Sequence, residues 1–95
     1  MITISLKNVG KFLTGRSLAK DLVQKNQKAI LASGQVAFDC TGIESMTQSF
    51  ISELLVQLIH LGVQLENVEL VEVSQSEFSN RFVREKQRVK NLVLA

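Results

Sequence analysis

The sequence predicts an α/β domain: a small mixed sheet, mostly parallel, carrying about three helices. Short apolar runs of strand type alternate with longer runs at helical spacing, and capping residues or glycines mark most of the boundaries between them. No segment is repeated, low in complexity or linker-like, and 95 residues leave room for one domain spanning 1–95.

Ile2, Ile4 and Leu6 alternate with Thr3 and Ser5, the period-two pattern of a half-buried strand. Lys7–Leu13 reads as a second short extended stretch or a loop. Thr14 is the expected N-cap of a helix over Arg16–Ser33, whose Leu18, Leu22, Ala29 and Ile30 lie roughly on one side, with Gly34 at its C-cap. Gln35–Cys40 is a brief apolar run ending in Thr41-Gly42 and fits a strand buried on both faces. From about Thr47 to Leu61, the side chains of Phe50, Ile51, Leu54, Leu55, Leu58 and Ile59 form a broad apolar helical stripe that Gly62 closes. A strand at Val68–Val73 follows. A last helix over Ser76–Lys90 would bury Phe78, Phe82 and Val89, and the tail Asn91–Ala95 fits either a strand or a frayed helix end.

Composition narrows the class further. Apolar residues make up 45% of the chain and the net charge is only +2, which excludes a disordered polyelectrolyte. Cys40 is the single cysteine, so no internal disulfide forms, and a reducing compartment is expected. The N-terminus lacks the basic start and apolar core of a signal peptide, and every long apolar run is interrupted by polar residues. The expected location is the cytoplasm, with no membrane association. Charge is segregated along the chain: residues 1–28 carry +5, residues 29–80 carry seven acids and no Lys or Arg, and residues 81–95 carry +4. An acidic middle face and a basic last helix are expected.

Catalytic groups are sparse. Cys40 and His60 could form a nucleophile–base pair only with a third orienting group, which no spacing supplies; a buried strand cysteine and a surface histidine are the simpler reading. One Cys and one His lack metal-ligand spacing, and Gly10-Lys11…Thr14-Gly15 falls short of both nucleotide-binding fingerprints. No enzyme, cofactor or metal is therefore expected. The bases Arg81, Arg84, Lys86, Arg88 and Lys90 have only Phe82 as a stacking aromatic, so a solvated helix face outweighs nucleic-acid binding. A nucleic-acid-binding or transcription accessory role through Arg81, Arg84, Arg88 and Lys90 is the second reading. Self-assembly through the Leu92–Leu94 tail, giving a homo-oligomer, is the third.

The turn from the second strand into its following helix is more informative. Asp39 falls at the C-terminal end of a buried strand, the edge where α/β folds place their sites. Thr47 or Ser45 can cap the next helix, leaving Ser49 in its first turn, where free N–H groups and the helix dipole favour an anion. Ser49, Ser52, Glu53, Val56 and His60 share one face of that helix, away from the apolar stripe. Such a face could dock a partner, and a phosphate on Ser49 would add about −1.5 to −2 charges to it. Solvent-facing serines are the plainer reading of the spacing alone.

Residues 36–55 resemble the STAS domain, shared by bacterial anti-sigma-factor antagonists and the tails of sulfate transporters. Its pattern is an apolar strand, Asp-Leu-Ser-Gly-Val, a short spacer, Asp-Ser-Ser-Gly and an apolar helix. The counterparts here are Asp39-Cys40-Thr41-Gly42-Ile43, Glu44-Ser45-Met46 and Thr47-Gln48-Ser49-Phe50. A STAS-like family of unknown function is closer still: Thr14-Gly15-Arg16 is similar to its helix start, and Gln48-Ser49-Phe50-Ile51-Ser52-Glu53-Leu54 to its second helix. The likeness covers about Gly15 to Val73. It implies a non-enzymatic, antagonist-like module that binds a histidine-kinase-type ATPase or an anti-sigma factor and is switched in some members by serine phosphorylation. The phosphoacceptor position falls on Ser49, and the expected docking residues are Asp39, Thr41, Glu44, Ser45, Thr47, Ser52, Glu53, Val56 and His60. Three positions depart from the STAS pattern: Thr47 replaces its acid, Gln48 a serine and Phe50 its glycine. STAS-like members can carry Ala at the position of Ser49.

Overall fold

The computed structural model describes the backbone of residues 1–94 and the side chains of residues 1–92. The chain runs β1 (Ile2–Ser5), a 3-10 turn at Leu6–Asn8, β2 (Phe12–Leu13), α1 (Arg16–Lys25), α2 (Gln27–Ser33), β3 (Val36–Asp39), β4 (Ser45–Met46), α3 (Gln48–His60), a second 3-10 turn at Leu65–Asn67, β5 (Val68–Val71) and α4 (Ser76–Leu94). This is the small α/β domain that the alternation of apolar runs predicts.

The main sheet has the order β1-β3-β5, and every pair in it is parallel. Register stacks Ile2, Val36 and Val68 in one cross-strand row and Ile4, Phe38 and Leu70 in another, and both rows join the hydrophobic core. The alternate rows, Thr3–Ala37–Glu69 and Ser5–Asp39–Val71, lie outside that cluster, with Ala37 alone among them buried. As the central strand, β3 has Val36, Ala37 and Phe38 all buried, as its apolar run implies.

Helix α3 packs against both α1 and α4. It buries Phe50, Ile51, Leu54, Leu55 and Leu58; α1 contributes Ala19, Leu22 and Val23, and α4 contributes Phe78, Phe82 and Val89. Burying a side chain of this kind stabilises the fold by about 1.5–3 kcal/mol, so the α3 stripe is the largest single contribution to the core.

The structure differs from the sequence reading in three places. The helix expected over Arg16–Ser33 breaks at Asn26, whose backbone (φ −108°, ψ 12°) leaves the helical region while its side-chain amide donates to the Leu22 carbonyl at 2.9 Å. A short polar side chain that competes for backbone hydrogen bonds in this way interrupts a helix. Gly15, not Thr14, is the N-cap of α1, with φ at 85°. The turn from β3 into α3 contains β4, which pairs in parallel with β2 through Phe12–Ser45 and Leu13–Met46. Residues 91–94 continue α4, the helical one of the two alternatives for the tail; Ala95 lies outside the described residues. Among the described residues, no helix is long and apolar enough to cross a membrane.

Candidate functional site

The β3–α3 connection is a tight, partly hydrogen-bonded surface. Asp39 Oδ1 accepts both the Thr41 amide at 2.9 Å and the Thr41 hydroxyl at 2.6 Å. These two bonds, the hydroxyl first, hold the Asp39 carboxyl below its ordinary range, and Lys7 adds to the effect. Asp39 therefore stays a carboxylate that organises the turn. Glu44 is exposed; its amide and that of Ser45 both donate to the Lys11 carbonyl, at 2.9 and 3.2 Å. These bonds tie the turn to β2. Thr47 caps α3: its hydroxyl oxygen accepts the Phe50 amide at 3.3 Å, and its own amide donates to the Leu13 carbonyl. Ser45, the alternative cap, lies in β4 instead.

Ser49 is exposed in the first turn of α3, as its position predicts. The face expected to join it to Ser52, Glu53, Val56 and His60 comes apart, however. Ser52 is buried and its hydroxyl accepts Arg88 Nη2 at 2.8 Å, because α4 covers that flank of α3. Glu53 is turned to the opposite flank, where Gln57 Nε2 donates to it at 2.6 Å and Arg16 Nη1 at 3.3 Å. The Gln57 bond and then the Arg16 contacts hold its carboxyl below the ordinary range. Val56 is half-buried and only His60, at the far end of the helix, is exposed as expected. Ser52 is thus not available for docking and Glu53 is largely committed.

Cys40 and His60 do not meet. The Cys40 thiol is buried, donates to the Phe38 carbonyl at 3.6 Å and is pushed up to about 11, chiefly by burial and then by the Asp39 charge. His60 ends a 13-residue helix that begins just beyond the β3 turn, placing it about 20 Å along the helix axis from that turn. Among the described residues, no group of three His, Cys, Asp or Glu side chains could hold a metal ion.

The basic helix exposes Arg84, Arg88 and Lys90, as a solvated face implies, but four of its five bases are also engaged. Arg81 Nη1 donates to the Met46 carbonyl at 2.7 Å and Nη2 lies 3.6 Å from Glu77. Arg88 binds Glu85 through Nε at 2.7 Å and Nη2 at 3.1 Å. Lys90 lies 3.7 Å from Glu66, and Lys86 sits 5.0 Å over the Phe82 ring. Bases engaged in this way are less free to track a nucleic-acid backbone. Glu85, although only 5% exposed, remains ionised: the Arg88 hydrogen bonds, with smaller help from the Arg88 charge, Gln48 and Arg16, hold its carboxyl below the ordinary range.

Two features escape the sequence reading. Phe12 is 62% exposed and lies beside Ser45 across the β2–β4 pair. The signal for it is a lone aromatic in the short stretch Gly10-Lys11-Phe12-Leu13-Thr14-Gly15, where Phe12 and the buried Leu13 point to opposite sides. The other is a cleft of about 360 Å³ lined by Gln48, Arg81, Arg84, Glu85 and Arg88, which joins the start of α3 to α4. Comparison with models of protein families, with curated proteins and with solved structures finds no match.

Proposed function

We propose that the chain is a non-enzymatic, cytoplasmic regulatory module of the STAS-like kind, resembling an anti-sigma-factor antagonist. Its partner is a histidine-kinase-type ATPase or an anti-sigma factor. Docking takes place where Phe12, the Asp39–Met46 turn and the first turn of α3 share one end of the molecule, and a phosphate on Ser49 opposes it. The observation that carries this reading is the exposure of Phe12 next to Ser45, four residues before Ser49. A large aromatic left in solvent beside a hydrogen-bonded turn offers the kind of apolar anchor that protein interfaces bury. Ser49, accessible at a helix N-terminus, could accept a phosphoryl group without disturbing the core, and the added charge would then change the electrostatics of the docking surface.

The test is a binding titration against a purified histidine-kinase-type ATPase from the same genome, with ATP and magnesium. Phe12→Ala and Ser49→Asp should each weaken the complex by tenfold or more, while Leu31→Ala, on the exposed side of α2, leaves it intact. Mass spectrometry should find one phosphoryl group on the wild type and none on Ser49→Ala. Equal binding by all three variants would refute the docking site, and phosphorylation elsewhere would refute the switch.

A further inference from the structure

The cleft between α4 and the start of α3 carries three guanidinium groups, from Arg81, Arg84 and Arg88, against the single carboxylate of Glu85. That carboxylate is matched at contact distance, because Arg88 engages both of its oxygens. The donors are unequally committed. Arg88 keeps Nη1 unused in these bonds, and Arg81 is anchored by Met46 and paired at 3.6 Å with Glu77, with 32% of its side chain still exposed. Arg84 makes no hydrogen bond or ion pair among the described residues and is exposed. Each guanidinium offers five N–H donors in a fixed fork, so the cleft presents a surplus of donors and of positive charge, partly held in place by existing bonds.

No aromatic or aliphatic residue lines the cleft among the described residues, so it offers neither a ring on which to stack a nucleobase nor an apolar wall to bury an acyl chain. Its surplus suits a small, multiply charged oxyanion with several acceptor atoms better than a single carboxylate. Gln48, the first residue of α3, brings a side-chain amide to the same cleft. We propose that this cleft binds a phosphate dianion, free or carried on a phosphoserine side chain, with Arg84 as the main contact and Arg81 and Arg88 as pre-positioned donors. The site goes beyond the docking surface at Phe12 and does not depend on it, since unmodified protein alone is enough to test it.

The experiment is an amide and arginine side-chain NMR titration of the unmodified chain at constant ionic strength. Inorganic phosphate, a short phosphoserine peptide and sodium chloride are the three probes. Phosphate or the phosphopeptide should produce saturable shifts at Gln48 and Ser49 and at the Arg84 side chain, with chloride giving none. The tighter of the two phosphate probes names the source of the ligand. Arg84→Ala should raise the dissociation constant about tenfold, as expected for loss of one charge-assisted contact, while its unfolding transition stays at the wild-type position; Arg84→Lys should fall between. Shifts with chloride equal to those with phosphate, or unchanged phosphate affinity in Arg84→Ala, would overturn the proposal. So would binding only to single-stranded oligonucleotides with affinity that grows with length, because that marks an extended backbone-tracking surface.

Discussion

The two flanks of α3 use the same pair of residue types and obtain different things from them. Toward α1, Arg16 reaches Glu53 across solvent, with 59% and 14% of their side chains exposed. Toward α4, Glu85 is only 5% exposed, and Arg88 binds both its oxygens and the buried Ser52 hydroxyl. The Arg16 contact is one long hydrogen bond from an exposed guanidinium to a carboxylate that Gln57 also holds. The Arg88 arrangement satisfies a buried carboxylate and links two helices at once. Burial and the number of hydrogen bonds, not the charges themselves, set the difference.

Three substitution experiments probe that contrast. Glu85→Ala removes the buried acceptor and frees Arg88 from its tether; it should destabilise the domain by about 2 kcal/mol in urea unfolding. A value near zero would make the two flanks equivalent. Acid titration separates them next. Both glutamates sit below their ordinary range, Glu85 mainly through Arg88 and Glu53 mainly through Gln57 and then Arg16. A carboxylate depressed by folding stabilises the native state above its unfolded pKa, and that contribution is lost as pH falls through the folded value. Stability should therefore be level near neutrality and decline on acidification. Glu85→Gln should flatten that acid limb more than Glu53→Gln does. The smallest effect belongs to Arg16→Ala, about 0.5 kcal/mol or less and weaker still at high salt. A larger loss would show that the Arg16–Glu53 bridge is structural.

The same contrast explains what the sequence could and could not reveal. Ile2, Ile4 and Phe38 announce their strands, and the α3 stripe announces its helix, because each pattern is set by local periodicity and burial of one face. Thr47 is legible as a cap for the same local reason. Ser52 is not legible, because its burial depends on an arginine 36 residues later in the chain. A helical wheel of α3 shows a polar serine at the margin of its stripe and cannot show that α4 covers it. The break at Asn26 and the two-residue pairing of β2 with β4 are likewise hidden. The first is decided by one side-chain hydrogen bond to Leu22, the second by partners 33 residues apart. Within the candidate site, Asp39, Thr41, Glu44, Ser45, Thr47 and Ser49 all lie on the connection that the motif marked, while Phe12 and the arginine cleft arise from tertiary assembly.

The central position of β3 also governs the order in which the fold can be completed. Its two neighbours, β1 and β5, precede and follow it in the chain, and Phe78, Phe82 and Val89 are added to the core only by the helix after β5. A nascent chain that has released β1, α1, β3 and α3 still exposes one edge of its central strand and the unsealed side of α3. Stable closure must then wait until residues near Val89 are free to pack. The domain is thus suited to fold in one late cooperative step, and a ribosome-stalled fragment ending at Val73 should remain open to protease.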